Sequence, residues 1–375
     1  MPSLFYFKKY KIVLLIFVLI LTSCQVSRFF IYNFADIRDY KKFPSRKIEK
    51  ASAEKFHFTV GRSAKLDSSK ISYEHEKNIP IEEFIKKHKS VAFLIIRNDT
   101  ILYEKYFRGR DSSSYVPSFS AAKSYTSALI GCAIADSLIG SENDLVIKYI
   151  PELAKNGFDN VTIKHLLQMT SGLKFGENYF NPFGDVAGYY YGRNLRKRMC
   201  KMKLKREPGK KFEYLSGNTQ LLGFVLERAL KGKSISQYLQ EKIWQPCGME
   251  SDATWSIDMK KKGIEKTFCC LNANARDFAK FGRLYLNKGN WNGKQLVPEA
   301  WVKKSNTVDT TGGAKWYYQN QWWINNPRVG DYSAIGFLGQ YIYVNPKKHI
   351  VIVRLGKTEG GIYWPYLFGM MCKEL

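Results

Sequence analysis

A chain of 375 residues is well above the size at which a core needs disulfide or metal staples, so collapse onto one large domain or two small ones is expected. Apolar residues at 45%, aromatics at 15% and charged residues at 25% exclude a disordered, collagen-like or coiled-coil chain. Fifty-nine Lys and Arg against 33 Asp and Glu leave a net charge of +26, which attracts polyanions: nucleic acid, anionic lipid head groups or acidic envelope polymers.

The first 24 residues choose among these. Lys8, Lys9 and Lys11 precede a ten-residue apolar run, Ile12 to Leu21, which is too short to span a bilayer as a helix of about 20 residues and reads as an export signal. The run ends at Leu21-Thr22-Ser23-Cys24, which resembles the lipobox of a bacterial lipoprotein and so implies lipidation at Cys24. The expected place is therefore the bacterial cell envelope, with the membrane held through Cys24. Nucleic acid drops out as a partner, and an anionic envelope polymer stays in. Residues 1–23 are read as the signal peptide, 24–80 as a tether and N-terminal wrap, and 81–375 as the main domain. The six remaining cysteines lack metal-site spacing and are read as packing residues. Cys269 and Cys270, being adjacent, suit neither a bond to each other nor a redox motif.

Ile81, Phe84 and Ile85 have helical spacing, and the runs Val91 to Arg97 and Thr100 to Tyr106 form a β-hairpin about Asn98-Asp99. Strand-like runs recur at Tyr317 to Ile324, Gln340 to Asn345 and His349 to Arg354, with a helix from Tyr363. Between the two ends, Val161 to Met169, Thr219 to Leu230, Ile235 to Trp244 and Ala275 to Asn287 read as helices in a mostly helical region of about 136–305. One sheet built from both chain ends, covered by helices and carrying a helical subdomain, is the expected α/β (α+β) architecture. A basic stretch from Arg193 to Lys211 is a solvated face or a contact for anionic lipid or polymer at the rim of a cleft.

Five His, none well placed, and no Gly-x-Ser-x-Gly elbow argue against a Ser-His-Asp triad or a His-Glu-x-x-His zinc site. No metal or cofactor is expected. Lysine is the alternative base. Ser120-Ala121-Ala122-Lys123 puts hydroxyl and amine three residues apart on one helix face, at the root of a run, Ala128 to Ala135, that is apolar all round and hence buried. Burial lowers a lysine pKa, as a general base requires, and a helix N-terminus stabilises charge on the Ser120 oxygen. The spacing alone is weak, because Ser52 to Lys55 and Ser171 to Lys174 share it.

The stretch Pro117 to Gly131, PSFSAAKSYTSALIG, resembles the nucleophile helix of the serine β-lactamase and penicillin-binding-protein superfamily, in the branch of class C β-lactamases, esterases and amide hydrolases including 6-aminohexanoate-dimer hydrolases. Val161 to Leu173 resembles that branch's structural helix and turn, and Lys211 to Asn218 its Tyr-x-Asn/Ser element. The resemblance implies a β-lactamase/transpeptidase-like fold and a serine hydrolase. Tyr214, its pKa pulled down by the neighbouring Lys, would activate Ser120 and protonate the leaving group, with Ser216 as helper on the substrate or Lys123. For the family's third element, position selects Ala334-Ile335-Gly336-Phe337 over Lys357-Thr358-Glu359. Gly336 would let substrate approach, and the N–H groups of Phe337 and Ser120 would form the oxyanion hole. Ala334 stands where the family has a cation, which favours an ester or neutral amide, small or peptide-like, over a β-lactam or D-Ala carboxylate. The alternatives are a peptidoglycan DD-peptidase or β-lactamase, and a degenerate penicillin-binding-like lipoprotein that only binds envelope polymer.

Overall fold

The computed structural model describes residues 24–32, 34–52, 54–61 and 63–375. The apolar leader and the start of the lipobox lie outside the described residues, as does the side chain of Cys24; its backbone opens the first helix.

Apolar, β-branched runs from both halves of the chain supply the central strands of an eight-stranded sheet. Its strands are β1 (Thr59–Val60), β2 (Ser90–Arg97), β3 (Thr100–Tyr106), β4 (Tyr318–Gln319), β5 (Trp322–Asn326), β6 (Asp331–Gly336), β7 (Gln340–Asn345) and β8 (Ile350–Gly356). They lie in the order β4-β5-β6-β7-β8-β2-β3-β1, antiparallel except where β1 runs parallel to β3. Both faces are covered, so the strands read as continuous apolar runs. Leu94 and Ile96 of β2 enter one core and Phe93 and Ile95 the other, as period-2 alternation requires. The two chain ends meet where β8 pairs with β2, Ile352 opposite Ile95.

The β2–β3 hairpin turns through Asn98 and Asp99, both at positive φ, the two-residue turn that suits a right-twisted ladder. A similar pair, Asn320 at φ 42° and Gln321 at φ 69°, splits the run expected as one strand from Tyr317 to Ile324 into β4 and β5.

The helices used below are α1 (Cys24–Tyr32), α2 (Ile81–Lys87), α3 (Ala122–Ala135), α4 (Asp185–Tyr191), α5 (Ser216–Ala229), α6 (Ala275–Leu286) and α7 (Trp364–Glu374). One core packs α3 and α6 against the sheet, and the other packs α2 and α7 on the opposite face. The segment expected as a helix from Val161 to Met169 is helical only over Ile163–Leu167, because Met169 turns into the left-handed region. Thr162 caps it through His165, whose backbone N–H donates to Oγ1 while the Thr162 N–H meets the ring Nδ1 at 3.1 Å.

The N-terminal segment is part of the first core: Phe29, Ile37, Phe43, Ile48 and Phe58 are buried in it. It also makes specific polar contacts. The Tyr190 hydroxyl donates to Asp39 at 2.6 Å, and Lys266 lies 3.4 Å from the centre of the Phe43 ring. A second, four-stranded sheet joins Ser45–Ile48, Ala253–Ser256, Leu271–Ala273 and Val116–Pro117, the last of which leads directly into Ser120.

Candidate active site

Ser120 lies in a single 3-10 turn, Phe119–Ala121, that opens α3. Backbone N–H groups in a first turn have no intrahelical acceptor and point outward. Phe119, immediately before it, is held at φ 44°, costly for an aromatic residue and kept by the packing around it. Val116–Pro117 pairs with Leu271–Ala273, and the Ser118 N–H donates to the Leu271 carbonyl at 2.8 Å. The serine is thereby anchored on both sides.

One turn along, Lys123 is 1% exposed and its Nζ has three partners: Ser120 Oγ at 3.0 Å, Ser216 Oγ at 3.2 Å and the Phe268 carbonyl at 2.9 Å. Burial pulls the ammonium down to about 8, against the opposing charge of Glu177. Proton counting gives these contacts a direction. The Phe268 carbonyl can only accept. Ser216 already gives its hydroxyl hydrogen to Glu177 Oε1 at 2.5 Å, so its oxygen accepts from Lys123. A neutral amine has two hydrogens and one lone pair, and the lone pair is left facing the Ser120 hydroxyl.

Tyr214 stands just before α5, its ring centre 5.0 Å from Lys123 Nζ and its phenol near enough to Ser120 to feel that hydroxyl in its titration. Its ring rests against Trp323 and Tyr318, with centroids 5.3 and 5.7 Å away. The expected drop in its pKa does not occur. Burial pushes the phenol well above its usual value, the contact with Ser120 opposes that in part, and Glu177 adds to it. Lys123 is itself desolvated and tends to neutrality, so it supplies too little positive charge to reverse the shift. Tyr214 thus stays protonated beside Ser120.

Glu177 was not found from the sequence. It takes the Ser216 N–H on Oε2 at 2.8 Å, the Ser216 hydroxyl on Oε1, and the Tyr179 hydroxyl on Oε1 at 2.7 Å. Ser216 is thus a relay between a carboxylate and Lys123 rather than a free turn hydroxyl. Because Glu177 favours the ammonium, Glu177→Gln should lower the Lys123 pKa below about 8. A pH profile of kcat/KM should then show its ascending limb moved to lower pH by about half a unit, with kcat reduced by about tenfold through looser Ser216.

The segment Ala334 to Gly336 ends β6 beside the turn that carries Ser120. An added Cβ at Gly336 would lie 2.1 Å from the Ser118 carbonyl and 3.2 Å from the Ala121 nitrogen. The close approach that needs this glycine is therefore of the nucleophile turn to the end of β6, where substrate approach had been expected. It holds the end of β6 against the turn that carries Ser120. Gly336→Ala should push the two apart, costing about 100-fold in kcat and about 2 kcal/mol of stability, measurable by ester kinetics and thermal melting.

Ala334 is fully buried in the first core and is not in the cavity wall, so the expected substrate contact is not made. Period 2 along β6 turns Ala334 to the side that packs on α3. Lys357-Thr358 lies beyond β8, where the Thr358 carbonyl accepts from the buried Arg354 guanidinium at 3.1 Å.

The cavity beside Ser120 is small, about 60 Å³, and opens to solvent. Ser120, Ser216, Phe268, Cys269, Val186 and Ala187 are buried or half-buried in its wall, and Phe34, Tyr179, Phe180 and Phe337 are its exposed lining residues. Among the described residues no charged side chain lines it, and none comes from Arg193 to Lys211. Within that basic stretch, Lys205 and Arg206 pair with Glu213 and Arg196 with Glu227. Cys269 and Cys270 are bonded to each other, contrary to expectation. Cys270 has φ 70°, which brings to one side two side chains that an extended backbone would hold apart.

The two other stretches that carried the resemblance are joined inside the protein. Ser171 Oγ donates to Asn218 Oδ1 at 2.5 Å, and Gln321 Nε2 donates to the Leu166 and Leu167 carbonyls at 3.1 and 2.8 Å. They fasten the segment carrying Tyr214 to the edge of the sheet.

A sheet covered by helices, with a serine, a buried lysine and a tyrosine brought together at one end, defines a serine hydrolase of the β-lactamase/transpeptidase fold. The family model described as Beta-lactamase matches residues 81–362, and the chain belongs to that family. It is 26% identical over 305 residues to a 6-aminohexanoate-dimer hydrolase of Paenarthrobacter ureafaciens, covering 76% of this chain and 75% of the relative. A solved structure from Bacillus anthracis, provisionally named a 6-aminohexanoate-dimer hydrolase, superposes with a TM-score of 0.79 at 26% identity, covering 90% of this chain and 91% of the other. A family VIII carboxylesterase shares the fold at a TM-score of 0.57 and 16% identity, covering 73% of this chain and 91% of the other.

Proposed function

We propose that the protein hydrolyses an uncharged ester or amide with an apolar acyl part through an acyl-enzyme on Ser120, and that it does so at the cell envelope, anchored through Cys24. The observation that carries this reading is the opposed titration of two groups on one hydroxyl: Lys123 is pulled towards neutrality and Tyr214 is kept protonated. Groups whose environments push their pKa values apart divide into base and acid.

Ser120 Oγ attacks the acyl carbon as its proton passes to the Lys123 lone pair. The oxyanion is held by the Ser120 and Phe337 N–H groups. Tyr214 gives its proton to the departing oxygen or nitrogen, and the Lys123 ammonium returns one to the phenolate. Water then repeats the sequence on the acyl-enzyme with the roles reversed. The amide or ester choice rests on the relatives: one is named for an amide dimer and another for carboxylic esters.

The uncharged wall offers no counter-ion to a substrate carboxylate, which sets this reading above a DD-peptidase or β-lactamase. A fluorescent penicillin is accordingly expected to label the protein far more slowly than a fluorophosphonate probe. In the same cavity each added methylene is worth about 0.8 kcal/mol, so p-nitrophenyl butyrate should exceed the acetate in kcat/KM by about tenfold. Equal rates on the two esters would show that the cavity does not take the acyl chain.

A further inference from the structure

Beside the cavity, whose wall includes Phe34 and Phe180, stands a group of apolar side chains that the described residues leave uncovered. Phe30 is 65% exposed, Ile31 75%, Phe34 53%, Phe180 71% and Phe183 73%. With Tyr179 and Phe337, they make seven of the fourteen exposed large apolar side chains among the described residues. Scattered apolar residues need no explanation, whereas a cluster of this kind marks an interaction surface.

The cluster is one structural unit. Phe34 meets Phe180 and Phe29 with ring centres 5.7 and 5.8 Å apart, and Phe29 meets Tyr191 of α4 at 5.2 Å. Gln25 Nε2 donates to the Pro182 and Gly184 carbonyls at 2.7 and 3.2 Å, which ties α1 to the loop that carries Phe180 and Phe183.

Three features name the occupant. The chain enters this unit at Cys24, three residues after the ten-residue apolar run Ile12 to Leu21 and its lysines. Cations stand beside α1: an Arg198 N–H donates to Gln25 Oε1 at 2.9 Å, and Arg38 and Lys41 are exposed nearby in the chain, while Lys42, which donates to the Tyr32 carbonyl at 2.7 Å, is paired with Asp39. The whole chain carries +26. Aromatic side chains bordered by cations match the interface of an anionic bilayer, where rings enter the acyl boundary and cations meet head groups.

We propose that this face docks the cavity mouth onto an anionic phospholipid bilayer, and that the ester or amide enters from the membrane as an acyl lipid. The substrate class rests on the hydrolase reading above; the docking does not.

The test uses the full chain reconstituted in vesicles of phosphatidylcholine and phosphatidylglycerol. Hydroxyl-radical labelling of each residue, normalised to the unfolded chain, should be at least about fivefold lower at Phe30, Ile31 and Phe183 than at Tyr363 and Tyr366, which are 63% and 60% exposed. Equal labelling overturns the docking, as does protection that appears only when several copies share a vesicle, which would make a second copy the occupant. In the second arm, Phe30→Ser, Ile31→Ser and Phe183→Ser are combined; none of the three lines the cavity. The variant should lose at least about tenfold of its rate on a long-chain fluorogenic ester dissolved in the bilayer, while keeping its rate on a water-soluble short ester within about twofold. Unchanged rates on both, or equal losses on both, overturn entry from the membrane. A parent chain that hydrolyses neither ester refutes the hydrolase reading alone, and the footprint then decides the docking.

Discussion

Lys123→Met is expected to lower kcat/KM for a short p-nitrophenyl ester by about 10⁴-fold while leaving the fold intact at neutral pH. The activity loss follows from the proposed role of Lys123 as general base and from proton counting: of the three partners of Nζ, only the Ser120 hydroxyl is left to donate. Burial pulls the ammonium down to about 8. In the unfolded chain the same group titrates near 10.4, so the fold binds the proton less tightly. Stability therefore rises with pH between about 8 and 10.4 and carries the full desolvation cost below about 8, where the group is charged in both states. Methionine removes that cost along with the hydrogen bonds, so the melting temperature near pH 7 should change little. The parent's kcat/KM should rise through about pH 8 as the neutral amine forms. In Lys123→Arg, which stays protonated at every working pH, that limb should vanish along with the activity. A parent profile flat from pH 6 to about 9 would remove Lys123 as the base.

Ser120→Ala should be the more severe of the two losses, about 10⁵-fold in kcat, with complete loss of fluorophosphonate labelling. The hydroxyl is held at the start of α3 with the Tyr214 phenol on one side and Lys123 Nζ, 3.0 Å away, on the other. Nothing else in the cavity can replace it. Ser216, the other serine in the wall, spends its hydrogen on Glu177, and the Tyr179 phenol beside it is spent on the same carboxylate oxygen. Alanine fills less space than serine and leaves the Lys123 bonds to Ser216 and Phe268 in place, so thermal stability should be nearly unchanged. Residual labelling of the variant would transfer the nucleophile elsewhere.

Local pattern was enough for several elements. Runs such as Ser90–Arg97 and Ile350–Gly356 are apolar on both faces and flanked by turn residues, so their strand character is set within a few residues. The pair Ser120 and Lys123 was legible because spacing within one helix guarantees proximity. Tyr214 was chosen from several tyrosines of the same spacing by its place before α5, which the structure bears out in position. Its titration was misjudged, because burial of the ring by Trp323 and Tyr318 comes from β4 and β5, about 100 residues later. Glu177 had no local signal, being a carboxylate in an irregular loop whose partner, Ser216, is 39 residues away.

The amino-acid sequence by itself determined that a serine and a lysine share a buried helix face and that the two chain ends form one sheet, because both follow from periodicity along the chain. Only the tertiary structure decided which group accepts a proton and which donates one, that Gly336 makes room for the nucleophile turn, that Ala334 faces the core, and that Cys269 and Cys270 bond to each other. Those properties depend on desolvation, on close approach between distant segments and on backbone angles at single residues, and none of them is a function of spacing along the chain.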